Sequence, residues 1–167
     1  MLIRDESPDD YSAIEKLYLE AFDTPAEARL VSSLRFRAAP LVSLILEEGI
    51  RLVGHIMFTP VTLNGSEKLN LMGLAPMAVI PDRQRCGFGS ALVEEGLVRC
   101  QNLDCGAVVV LGHPEFYPRF GFRPAGELGI NCEYDVPADV FMALELAPGY
   151  LENQGGGISY HPLFNQI

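Results

Sequence analysis

Near the start of the chain Tyr11, Ile14, Leu17, Tyr18, Ala21 and Phe22 recur at three- and four-residue intervals, the single apolar stripe of a helix ending near residue 22. Ser7-Pro8-Asp9-Asp10 supplies its start: an N-cap serine, a proline whose missing N–H costs nothing in the first turn, and acidic side chains at the positive helix end. Thr24-Pro25-Ala26-Glu27 repeats that logic, and Leu30, Val31, Leu34 and Ala38 continue it as a second short helix. The pattern therefore predicts two helices before any strand.

From residue 41 the pattern changes to aliphatic runs. Residues 41–46 and 50–61 read as strands joined at Glu48-Gly49, and Asn64-Gly65 turns the chain into a third strand over 69–79. That is an antiparallel meander. Pro76 lies inside the third strand and has no N–H to give a ladder, which predicts a bulge at Ala75-Pro76 and a strand that splays from a neighbour there. After Gln84-Arg85-Cys86-Gly87-Phe88-Gly89-Ser90 comes a helix whose face is Gly89, Leu92, Val93, Gly96, Leu97 and Cys100, with Gly96 letting it lie close to a sheet. Residues 107–111 form a continuous apolar run, a strand buried on both faces and reached by a helical crossover from a parallel partner. A short helical turn around 115–119, an extended restart at Gly121-Phe122 and a last strand over 141–146 follow. Residues 124–139 read as loops around one short strand, and 147–167 as a C-terminal tail of a single domain spanning 1–167.

Composition narrows the function classes. The 167 residues carry 12 Lys and Arg against 22 Asp and Glu, a formal charge of −10, which makes nucleic acid an unfavourable ligand. No stretch approaches the ~18 apolar residues of a membrane span, and the expected location is the cytoplasm. Cys86, Cys100, Cys105 and Cys132 form no C-x-x-C pair and His55, His113 and His161 are dispersed, so zinc spacing is missing, no metal is expected and the thiols are read as reduced. His55, in an apolar strand, reads as a satisfied core histidine, and Cys86 as a loop residue.

A glycine-rich turn opening a helix aims unpaired N–H groups and the positive helix end outward, which suits a phosphate. No G-K-[ST] follows, so a P-loop is ruled out; Leu92 stands where a dinucleotide fingerprint needs its third glycine; Ser90 is not within G-x-S-x-G. What remains is Q-x-x-G-x-G. The bland reading is that Gly87 and Gly89 only permit a tight turn and close packing.

Two motifs in register carry a more specific signal. Val79-Ile80-Pro81-Asp82-Arg83-Gln84-Arg85-Cys86-Gly87-Phe88-Gly89 resembles the first motif of the GNAT superfamily of acetyl-CoA-dependent N-acetyltransferases, V-x-P-x-x-Q-x-x-G-x-G. Tyr117-Pro118-Arg119-Phe120-Gly121-Phe122 resembles its second, Y-x-x-x-G-F. The match is firm over residues 69–124 and extends in element order over 1–68, and the capped opening helices together with the H-P-x-F-Y-P-R-F-G-F stretch look most like the YhbS-like branch. The resemblance implies a mixed α/β (α+β) fold, with a mostly antiparallel central sheet, a splayed parallel strand pair and helices on both faces. It also implies acetyl-CoA as co-substrate: backbone groups of Met77 to Val79, through Ala78, pair with the pantetheine arm, and Gln84, Arg85, Cys86, Gly87, Phe88, Gly89 and Ser90 cradle the pyrophosphate. Positions 85 and 86, often Gly and a basic residue in the family, are Arg85 and Cys86 here. Arg83 and Arg85 either add charge or are solvated loop cations.

By the same resemblance Tyr117 is the general acid: a tyrosine of pKa ~10 is a protonated donor for a departing thiolate of reference pKa ~8.5. Packing with Phe116 and Phe120 is its structural alternative. A lysine-like amine of pKa ~10.4 needs roughly 4.6 kcal/mol to reach its neutral form at pH 7, so some group must take a proton. His113 is either that base or a turn residue before Pro114, the second reading favoured. Phe22, Glu27 and Arg29 are candidates for the acceptor side, although Glu27 reads better as a helix cap. The expected activity is acetyl transfer to an amine-bearing small molecule or protein by direct attack in a ternary complex; the rivals are a non-catalytic acyl-CoA sensor and an acyltransferase with another acyl chain or a hydroxyl acceptor. A homodimer is left open.

Overall fold

A computed structural model of the protein describes residues 1–166. The opening sequence does form a strand: Leu2–Asp5 (β1) lies along the sheet edge, antiparallel to Val42–Glu48 (β2). This corrects the expectation of two helices before any strand. Four residues are too few to show a period, and β1 gains its ladder from β2, with Arg4 tied to Glu47 and Asp10. The helices then follow as Tyr11–Ala21 (α1) and Ala26–Arg37 (α2). A short 3-10 turn at Pro8–Asp10 leads into α1, and Ser7 and Asp10 close the capping box there, the Ser7 N–H donating to Asp10 at 2.8 Å.

The meander continues through Arg51–Leu63 (β3) and Leu71–Val79 (β4). Ile56 pairs with Met77 and Phe58 with Leu74, so Ala75 and Pro76 together face Met57: the bulge sits where the proline lies. Phe88–Asn102 (α3) crosses to Ala107–Leu111 (β5), which runs parallel to β4 but pairs only as far as Leu74 with Val110. Beyond Leu74 the two strands diverge. Arg123–Pro124 (β6), Ile130–Cys132 (β7) and Phe141–Glu145 (β8) follow, giving the order β1-β2-β3-β4-β5-β8-β6.

β8 is not the last strand. Gly156–Ser159 (β9) pairs with β7 and with Thr62 and Leu63 of β3, and Leu151, Ile158, Tyr160, Leu163 and Phe164 are buried. The segment read as a tail thus packs on the core; its apolar positions are split by glycines and prolines, which hid them from any periodicity. Among the described residues no helix is long and apolar enough to cross a membrane, and no group of His, Cys, Asp and Glu could hold a metal ion.

Alternation along β3 assigns the helices to opposite faces. A Cβ on Gly54 would point at Leu92 of α3, whereas His55, next along, meets Tyr18 of α1. On the α3 face, a Cβ on Gly96 would overlap the Phe58 ring, so only glycine allows this approach. On the α1 face, fully buried His55 is satisfied, as the sequence suggested: Tyr18 Oη lies 2.7 Å from Nδ1, and Ser43 Oγ and Glu6 Oε1 lie 2.8 and 3.2 Å from Nε2. This assigns the Nε2–H tautomer, with Tyr18 donating to Nδ1. Burial alone would raise the Glu6 pKa, but hydrogen bonds from His55, Arg35 and Ser43 outweigh it and hold the carboxyl at about 2.

Gly96→Val should cost roughly 1–3 kcal/mol by overpacking against Phe58, read as a lower urea midpoint at unchanged slope. An unchanged midpoint would show that α3 can lift off the sheet without penalty.

Candidate functional site

The site begins with the missing ladder. The Ile80 N–H donates to Val53 O at 3.0 Å, so by strand alternation Ala78 and Ile80 face β3 while the backbone groups of Met77 and Val79 face away from it, toward the side β5 has left. One of these groups already has a partner, because Gln84 Nε2 donates to Val79 O at 3.0 Å.

Gly87 caps α3 at φ 86, a left-handed conformation that glycine takes without strain. Arg85 also lies in that region, at φ 62, where a glycine would sit freely; an arginine there costs of order 1–3 kcal/mol. The unpaired N–H groups of the first turn of α3 thus emerge beside the open edge of β4.

The second wall follows β5. Gly112 N–H donates to Val140 O at 3.0 Å, and a Cβ on Gly112 would overlap the Tyr117 ring. A 3-10 turn, Tyr117–Phe120, then stacks Tyr117 edge-on against Phe116 and Phe122 with centroids at 4.9 and 5.7 Å. Burial pushes its phenol up to about 12, so it is a neutral donor across the physiological range. Packing and a proton-donor role are therefore compatible in one residue. His113 is exposed, and its carbonyl accepts the N–H of Phe116 at 3.0 Å, a backbone bond compatible with either reading of its side chain.

Between the walls lies a cleft of about 1020 Å³. Met77, Ala78, Val79, Gln84, Arg85, Gly87, Gly89, Ser90, His113 and Tyr117 line it together. Cys86 and Phe88 belong to the same turn but do not line it. Arg83 is tied to Glu48 at 2.6 Å, whereas Arg85 of the same loop pairs with no carboxylate among the described residues. Phe22, Glu27 and Arg29 are elsewhere: Phe22 stacks on Tyr18 at 5.9 Å, Glu27 accepts from Thr24 at 3.5 Å, and Arg29 borders a small pocket between α2 and Leu163. The cleft adds Pro114, Glu115, Phe116 and Arg119, which pattern reasoning did not single out. Arg119 was within reach, two residues past Tyr117 in a one-turn helix.

A bulge opens the sheet, a helix start is aimed into the opening and a buried phenol stands opposite. The chain belongs to the acetyltransferase (GNAT) family, which it matches over residues 5–122. It is 36% identical over the full length of both chains to the N-acetyltransferase YhbS of Escherichia coli K12. The crystal structure of YhbS from E. coli in complex with CoA superposes with a TM-score of 0.92 at 33% identity, over 99% of this chain and 92% of that one. A GNAT acetyltransferase from Brucella melitensis in complex with acetyl-CoA gives a TM-score of 0.80 at 31% identity, covering 98% and 97%.

The two motif glycines differ physically. Gly89 has no positive φ, and a Cβ there would meet nothing closer than Phe116 Cζ at 3.8 Å. The fold does not need glycine at 89. Gly89→Ala should therefore leave stability unchanged or raise it by up to about 1 kcal/mol, the usual helical gain, in thermal or urea unfolding. A clear loss would return Gly89 to a purely structural role.

Proposed function

We propose that the protein transfers the acetyl group of acetyl-CoA to a primary amine by direct attack in a ternary complex. The observation that carries this reading is Gly89: its missing side chain leaves space facing the cleft that neither the backbone nor the packing requires, beside the N–H groups of a helix start. A diphosphate held on those groups fills that need. The complexes of YhbS with CoA and of the Brucella protein with acetyl-CoA, both over 30% identical, support the same ligand here.

When bound, acetyl-CoA supplies the activated acyl carbon. The turn from Arg85 to Ser90 holds the diphosphate through backbone N–H groups, with the Arg85 guanidinium adding charge. Met77 and Val79 hold the pantetheine arm by hydrogen bonds along the free edge of β4, the arm taking the place of a strand. The amine nitrogen attacks the acetyl carbon, the C–N bond forms and the C–S bond breaks. Tyr117 gives its phenolic proton to the departing sulfur. His113, on the same wall, takes the proton released by the amine through water, and that proton returns by water to the Tyr117 phenolate, so no net proton is gained or lost.

Turnover is followed by free-thiol release from acetyl-CoA against a panel of primary amines, peptides and polyamines. Tyr117→Phe should lower kcat roughly a hundredfold with little change in CoA affinity. Because its phenol titrates near 12, the wild-type profile should show no falling limb from Tyr117 below about pH 10. Unchanged kcat under chemistry-limited conditions would remove Tyr117 as the acid. Gly89→Ala, folded and stable, should bind CoA at least about tenfold more weakly; full affinity would remove the cradle.

A further inference from the structure

Arg119 lines the cleft but has no part in the reaction as proposed. Most arginines of this acidic chain are committed: Arg4, Arg35, Arg51, Arg83, Arg99 and Arg123 each pair with a carboxylate. Among the described residues Arg119 pairs with none. Its Nε–H donates instead to the Phe116 carbonyl at 2.9 Å, and its guanidinium carbon lies 4.6 Å over the Phe116 ring. These two contacts hold the side chain while leaving both terminal NH2 groups without a partner among the described residues.

Phe116 also fixes where that charge stands. Its Cζ lies 3.8 Å from the space a Gly89 side chain would fill, so the guanidinium sits one ring away from the helix start, on the facing wall. The ordering cost of a flexible cation has thus been met in advance, at the phosphate end of the cleft.

We infer that Arg119 binds the 3′-phosphate of the CoA adenosine. The inference rests on the acetyl-CoA reading and names a specificity determinant within it. The diphosphate has the N–H groups of the turn and Arg85 for partners. The 3′-phosphate, close to a dianion at neutral pH, projects from the same end of the ligand with no helix start to receive it. In a chain of net charge −10, with Glu115 on the same wall, an unmatched dianion is repelled. A guanidinium fork matches a phosphomonoester with two parallel hydrogen bonds.

Titration calorimetry of the intact protein with CoA and with 3′-dephospho-CoA tests this. The wild type should prefer CoA by tenfold or more, and Arg119→Ala should abolish that preference by weakening CoA alone. Arg119→Lys, which keeps the charge but not the fork, should retain part of it, and its folding is checked by circular dichroism. Equal weakening of both ligands, or no weakening of either, would overturn the inference while leaving the acetyl-CoA reading intact. A wild type that binds neither ligand would overturn that reading and the inference with it.

Discussion

Pro76 has no N–H to offer, and the ladder between β4 and β5 stops two residues before it, at Leu74. The rest of the site depends on that interruption. With two residues of β4 facing one of β3, the strand keeps its antiparallel partner on one side while releasing the parallel one on the other. A sheet interior ordinarily spends every backbone donor and acceptor within itself. Here the edge at Met77 and Val79 lies in the middle of the sheet and yet faces a cleft. An unpaired edge is a cost in an empty protein and a template in a liganded one.

Two devices on opposite faces of β3 keep the opening in place. Gly96 brings α3 so close to Phe58 that the helix start has little freedom to drift from the end of β4. On the other face, the Tyr18–His55–Ser43–Glu6–Arg35 network ties α1, α2, β2 and β3 together through charge-assisted hydrogen bonds inside the protein. Burying these groups carries a desolvation cost and yields little net stability, and its return is a fixed geometry. His55 lies directly opposite Ala78, so the network anchors β3 where β4 borders the cleft.

Much of this was readable from the sequence because local chemistry and global fold agree there. The proline in an apolar strand announced the bulge, the Gly87-x-Gly89 turn announced the helix start, and the spacing of Leu92, Val93, Gly96 and Cys100 marked the buried face of α3. What escaped has a common cause: it depends on partners distant in the chain. β1 is too short to show a period, and β9 lies in a glycine run whose strand character comes from the end of β3. Phe22, Glu27 and Arg29, expected on the acceptor side from their place in the opening helices, are not among the residues that line the cleft. Arg119 gains meaning only once Phe116 is seen beside Gly89.

Amide hydrogen exchange resolved to single residues, with and without saturating acetyl-CoA, tests the free edge most directly. The Met77 and Val79 amides should exchange quickly in the free protein and become strongly protected on binding, while the Leu71–Leu74 stretch, already paired with β5, changes little. Binding that leaves the Met77 and Val79 amides at their free-protein rates would contradict the account, because the ligand would then be held without the edge that the bulge exposes.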